Sequence, residues 1–125
     1  LDVTVKVRLK REHLEWLKDC CSPKARKAVE FLDRALPHYW HGNQVQNYCI
    51  GDCPVHDPLA MMYAAVPYIF RTETRRARVE CGGTYCRGMI VTDLREHPIT
   101  GGDVHFAMEV DADRAIRELL SAFWE

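Results

Sequence analysis

Along LDVTVKVRL, the apolar residues Leu1, Val3, Val5, Val7 and Leu9 alternate with Asp2, Thr4, Lys6 and Arg8, the period-2 pattern of a strand with one buried face. The period then changes. In REHLEWLKDC, Leu14 and Leu17 with Trp16 fall at helical spacing and predict a short helix ending near Cys21 and Ser22. Ser22-Pro23 is expected to open a second helix, serine as N-cap and proline at the first helical position. Its stripe is Ala25, Ala28, Val29, Leu32, Ala35, Leu36 and Tyr39. Pro37 should break or kink that helix near its end, because proline lacks the N–H and its ring crowds the preceding turn. From His38 to Pro54 the chain becomes polar and glycine-containing, which predicts a long loop. The segment CPVHDPLAMMYAAVP reads as loop, cap and helix. RRARVEC and GMIVTD, joined through Gly82-Gly83, predict a β-hairpin, and DVHFAMEV one more strand. Asp111 is a natural N-cap for a last helix with its buried stripe at Ala112, Ala115, Ile116, Leu119, Leu120 and Phe123. The expected architecture is α/β or α+β: a strand, helices, a β-hairpin, a further strand and a C-terminal helix, within a single domain over residues 1–125.

Composition narrows the partners. With 125 residues, 47% hydrophobic, 28% charged and a net charge of -1, the chain is an ordinary globular sequence rather than a disordered or nucleic-acid-coating one. Its longest apolar stretches, such as Leu59 to Val66, fall short of the roughly 20 residues of a spanning helix, so no membrane segment is expected. The chain begins at Leu1 without a leader, so it reads as a piece of something longer, and a cytoplasmic location is expected. The cysteines fall as Cys20-Cys21, Cys49-x3-Cys53 and Cys81-x4-Cys86, none with the C-x2-C spacing of a zinc site. Reduced thiols are the expectation, with a Cys81–Cys86 bridge across the hairpin as the alternative in an oxidising compartment. Arg71, Arg75, Arg76 and Arg78 form a basic stretch interrupted by Glu73 and Glu80 and read as a solvated strand edge.

His56-Asp57-Pro58 has two compatible readings. In the first, Asp57 caps a helix and Pro58 takes its first position, with the carboxylate at the positive end of the helix dipole. In the second, the same carboxylate faces a cleft and gives an oxygen to a hard cation, while the neighbouring imidazole transfers a proton.

The surrounding blocks weigh on that choice. LDVTVKV, PVHDPLAMMYAAVPYIF, ARVECGGTYCRGMIVTDLR and VHFAMEVDADRAIRELL, in that order, resemble the C-terminal portion of the inosine-uridine preferring nucleoside hydrolases. The resemblance implies the C-terminal part of an open nucleoside-hydrolase-like sheet. It also implies calcium-dependent hydrolysis of the N-glycosidic bond of a ribonucleoside, giving ribose and free base, and homo-oligomers. On it, Asp57 is a calcium ligand, His56 stands beside the leaving base, and Tyr39 lies, with Trp40 and Tyr48, where the family has a helix end and loop that close over the base. Cleavage through an oxocarbenium-like state needs an activated water, an oxygen-rich cage and help for the departing base, so these residue types suit the task.

Family members also carry an aspartate cluster of the form D-x-D-x-x-x-D-D that supplies most of the calcium cage. In this chain Asp2, Asp19, Asp33, Asp52, Asp57, Asp93, Asp103, Asp111 and Asp113 are scattered. The expectation is an active enzyme only as part of a longer chain, with the 125 residues inactive alone. The alternative is a non-catalytic remnant serving as an interaction or scaffold domain.

Overall fold

Of the strand expected over residues 1–9, only Arg8–Lys10 (β1) pairs, antiparallel to Asp52–Pro54 (β2), with Leu9 opposite Cys53. The computed structural model describes residues 2–47 and 51–124, so Leu1, Tyr48 and Cys49 lie outside the described residues. Thr4–Lys6 is a 3-10 turn, and Val5 is 42% exposed instead of sharing a buried face with Val7 and Leu9. A period-2 pattern makes a strand only where a partner offers its backbone, and here the partner is three residues long. The Val55 amide donates one further bond to the Val7 carbonyl at 3.1 Å, and the ladder ends there.

Two compact units form, Leu1–Ile69 with Val110–Glu125, and Phe70–Glu109. In the first, Arg11–Cys20 (α1) buries Leu14 and Leu17. Ser22 accepts the Ala25 amide through its hydroxyl at 3.3 Å, but the turn it opens becomes helix only at Arg26. This helix, Arg26–Asn47 (α2), runs through Pro37 and turns most of the expected 38–54 loop into helix. Proline forfeits one intrahelical bond; contacts beyond it hold the continuation. Trp40, 3% exposed, donates its indole N–H to the Leu9 carbonyl at 3.2 Å, and the Arg11 guanidinium lies 5.0 Å from its ring centroid. The Asn43 amide, also buried, donates to the Tyr39 carbonyl at 3.0 Å.

His56–Ala65 (α3) buries Leu59 and Met62, and Leu17 and Leu59, each 1% exposed, contribute roughly 1.5–3 kcal/mol apiece. The last helix, Ala112–Ser121 (α4), starts as expected: Asp111 Oδ1 accepts the Arg114 amide at 2.9 Å, and Ala115 and Leu120 are buried. Its end is tied back by the Ser22 amide donating to the Phe123 carbonyl at 2.9 Å and by Trp16 and Trp124 meeting edge to face at 4.9 Å.

In the second unit Phe70–Val79 (β3) is flanked by Ile90–Asp93 (β4) and Gly102–Val110 (β5). β3 and β4 are antiparallel, Arg76 opposite Asp93 and Val79 opposite Ile90, as the hairpin pattern predicts. Gly82-Gly83 is not a tight turn but part of a longer connection, closed by the Gly88 amide on the Glu80 carbonyl at 2.7 Å. The Glu80 carboxylate accepts the amides of Gly82 and Gly83 at 2.7 and 3.1 Å. Three arginines of β3 make ion pairs: Arg71 with Glu73 and Glu109, Arg75 with Glu73, and Arg76 with Asp103 at 3.9 Å. Cys20, Cys21, Cys53, Cys81 and Cys86 are thiols. No helix among the described residues is long and apolar enough to cross a membrane.

Arginines hold Asp52 ionised in the first unit and Glu73 and Asp93 in the second. Arg8 grips Asp52 at 2.9 and 2.6 Å and lowers its pKa below the ordinary 3.8. Asp93 is lowered further, first by the Arg95 guanidinium and then by the amides of Ile99 and Thr100 at 3.0 and 3.2 Å. Because both folded-state pKa values lie below the unfolded one, the stabilisation is complete above pH 3.8 and is lost as pH falls through the folded values. Thermal unfolding followed from pH 7 downward should show the midpoint dropping only below about pH 4–5. Asp52→Asn should cost about 1 kcal/mol at neutral pH and flatten that drop for the first unit; an unchanged acid slope would show that Arg8 does not hold Asp52.

Candidate active site

The end of β2 and the start of α3 place the candidate residues. The Val55 carbonyl already accepts the Leu59 amide at 3.2 Å, so Val55 is the N-cap, and His56, Asp57 and Pro58 form the first turn. This corrects the expectation that Asp57 caps the helix with Pro58 at its first position. The shift arises because the ladder with β1 ends at Val55, two residues earlier than the aspartate suggests. Pro58 loses nothing by it, since first-turn amides have no intrahelical partner. Asp57 keeps a favourable place at the positive end of the dipole. Its side chain is exposed, not sealed in the interior.

Tyr39, His56 and Asp57 come together on the wall of one cavity of about 360 Å³ within the first unit. Leu32 and Leu36 of α2 with Leu119 and Phe123 at α4 make its apolar side. A volume of this size with few convergent polar groups is what small-molecule sites show. Tyr39, 45% exposed, donates its hydroxyl to the Pro54 carbonyl at 3.3 Å, which pins the ring beside the start of α3. His56 is half-buried, and its Nδ1 lies 2.6 Å from Thr4 Oγ1. Nothing in the linear pattern signals the Thr4 contact, because it depends on where the 3-10 turn ahead of β1 puts the threonine. Cys53, fully buried, sets its Sγ 3.8 Å from the Leu9 carbonyl and is part of the packing beneath the cavity.

Calcium requires roughly six to eight oxygen ligands. Among the described residues no group of three or more His, Cys, Asp or Glu side chains could hold a metal ion, so the described residues do not by themselves make a calcium site.

The chain is 30% identical over 114 residues to the pyrimidine-specific ribonucleoside hydrolase RihA of Salmonella typhi, covering 91% of this chain and 35% of the relative. Against RihA of Enterobacter sp. (strain 638) the identity is 28%, covering 91% and 34%. The chain thus spans about a third of the length of the curated relatives it matches. Among solved structures, a purine-preferring ribonucleoside hydrolase from Gardnerella vaginalis superposes with a TM-score of 0.78 at 26% identity, over 98% of this chain and 37% of that one. A plant nucleoside hydrolase shares the fold with a TM-score of 0.72 at 24% identity, over 96% and 38%. The sequence pattern of the family described as inosine-uridine preferring nucleoside hydrolase matches residues 1–117, and the chain belongs to that family.

Proposed function

We propose that these residues form the leaving-base side of a ribonucleoside hydrolase active site whose metal cage and water-activating base lie in another part of a longer polypeptide. The observation that carries this reading is the meeting of Tyr39, His56 and Asp57 on one cavity in a chain matched to the family over residues 1–117. In the reaction, water adds to the anomeric carbon as the C–N bond breaks and its electron pair goes to the base. The protonated His56 ring gives a proton to that base, neutralising the negative charge that builds up as the bond breaks and leaving a neutral imidazole. Tyr39 offers an aromatic face for the base to stack on. Asp57 would hold a calcium ion through one carboxylate oxygen, and that ion, when bound, would supply Lewis-acid activation of the attacking water. The relatives include pyrimidine-specific and purine-preferring enzymes, so both base classes belong in the test.

That test is ribose release from inosine and from uridine with calcium present, using these 125 residues alone and the full-length gene product. Release by the full-length protein and none by the 125 residues alone is the expected result. No release from either overturns the hydrolase reading in favour of a non-catalytic scaffold or interaction domain. In the active protein, Asp57→Asn should weaken calcium binding, measured by titration calorimetry, by at least the roughly 10–100-fold that loss of an outer-shell partner costs. Unchanged affinity would remove Asp57 from the ligand set.

A further inference from the structure

The hydrogen bond between Thr4 and His56 joins residues 52 positions apart at the one place where the proposed chemistry needs a ring with a fixed orientation. We infer that Thr4 is a positioning residue for His56: its hydroxyl stays hydrogen-bonded to Nδ1, accepting from it when the ring is protonated, and so fixes the imidazole ring and leaves Nε2 to hold and give the proton. This inference rests on the hydrolase reading for its purpose, though not for its geometry.

The local fold explains why the two residues meet. The β1–β2 ladder ends with the Val55 amide on the Val7 carbonyl at 3.1 Å, and the two chains leave it side by side. On one, the Lys6 and Val7 amides donate to the carbonyls of Val3 and Thr4 at 3.2 and 3.3 Å, closing the 3-10 turn that contains Thr4. On the other, His56 is the first residue of α3 and its backbone is set by the helix. Both ends of the 2.6 Å contact are thus carried by ordered backbone. The tertiary register, and not local sequence, aligns the hydroxyl with the ring.

A neutral imidazole carries its proton on one nitrogen, and the hydrogen bond made by the other decides which. A threonine hydroxyl can serve Nδ1 as donor or as acceptor. In the protonated ring both nitrogens carry hydrogen: Nδ1 donates to Oγ1, and Nε2 holds the proton that a departing base can take. Once that proton has gone, the neutral ring keeps its contact with the same hydroxyl, so the imidazole does not turn. Thr4 thereby equips His56 for the role proposed above. The threonine does not touch substrate in this scheme; it acts through the ring.

The test reads the tautomer directly. With nitrogen-15-labelled histidine in these 125 residues, at a pH where imidazoles are neutral, the His56 ring should show a single tautomer, one nitrogen bare and the other protonated. Thr4→Ser should keep that pattern, and Thr4→Val should collapse it toward the averaged shifts of two exchanging tautomers. A mixed tautomer in the unaltered chain, or a valine variant with the ring pattern unchanged, overturns the inference, and the first of these needs no variant to fold.

In the active full-length protein, Thr4→Val should lower kcat on uridine or inosine about tenfold or more with KM little changed, and Thr4→Ser should restore it. On 4-nitrophenyl riboside, whose phenolate leaves without a proton, the same valine variant should keep its rate. Equal losses on both substrates would mean a merely structural role and overturn the inference. A locked ring in a protein that releases no ribose would uphold the hold of Thr4 on His56 and overturn the hydrolase reading.

Discussion

His56→Ala in the active protein is expected to lower kcat for uridine or inosine hydrolysis by about 10²–10⁴-fold, the span that removal of a positioned general acid produces. A base leaving as its anion places charge where no group of the apolar cavity wall can receive it, and a proton from the imidazole removes that charge as the bond breaks. Alanine has no proton to give. The residue also has a structural side: it is half-buried and loses its 2.6 Å partner Thr4, a hydrogen bond worth about 1 kcal/mol. The two contributions separate by measurement. A leaving-group role lowers kcat steeply on nucleosides and little on 4-nitrophenyl riboside, whereas a purely structural role lowers the melting temperature and leaves kcat intact. The second pattern would end the assignment of His56 as proton donor.

How far the sequence alone reaches depends on whether a feature is local. α1, the β3–β4 pairing, β5 and the Asp111 cap are each specified by their own periodicity and capping residues, and they fall where the pattern puts them. The alternation over residues 1–9 is misleading because pairing is not a local property: the partner is the short β2, and only Arg8–Lys10 finds it. Pro37 misleads in the opposite direction. Its local cost is outweighed by Trp40 against Leu9 and Arg11, and the stripe Val29, Leu36, Trp40 and Asn43 keeps helical spacing straight across it. Reading that stripe as continuous would have extended the helix. The motif His56-Asp57-Pro58 and the aromatic Tyr39 are visible in the chain, but their meeting on one cavity depends on α2 continuing past Pro37 to present Tyr39 opposite the start of α3. Thr4 is visible only in three dimensions, since a threonine in an alternating stretch carries no signal of the ring 52 positions away.

The same distinction between local and tertiary causes governs the largest expected stability effect, at Gly101. A Cβ there would stand 2.4 Å from the Ala77 carbonyl oxygen and 2.8 Å from the Ala77 nitrogen, backbone atoms of β3 that cannot swing aside as a side chain can. Its φ of +86° also lies in the region that side-chain-bearing residues disfavour. The bend is further fixed by Arg76, whose Nε and Nη2 donate to the Gly101 carbonyl at 3.1 and 2.6 Å and whose Nη1 donates to Pro98 at 3.3 Å, so the loop cannot lift away without breaking charge-assisted bonds. Gly101→Ala therefore combines roughly 1–3 kcal/mol of backbone strain with roughly 1–3 kcal/mol of overpacking, enough to unfold the Phe70–Glu109 unit. Two controls isolate the causes. Gly88→Ala meets a similar φ of +88° with nothing within 4 Å, so it reports backbone strain alone, and Gly102→Ala meets neither a positive φ nor a neighbour. Urea unfolding should rank the losses Gly101, then Gly88, then Gly102. A Gly101→Ala loss no larger than that of Gly88→Ala would show that β3 yields to the added methyl, and that the close approach of Gly101 to Ala77 is not what holds β5 against β3.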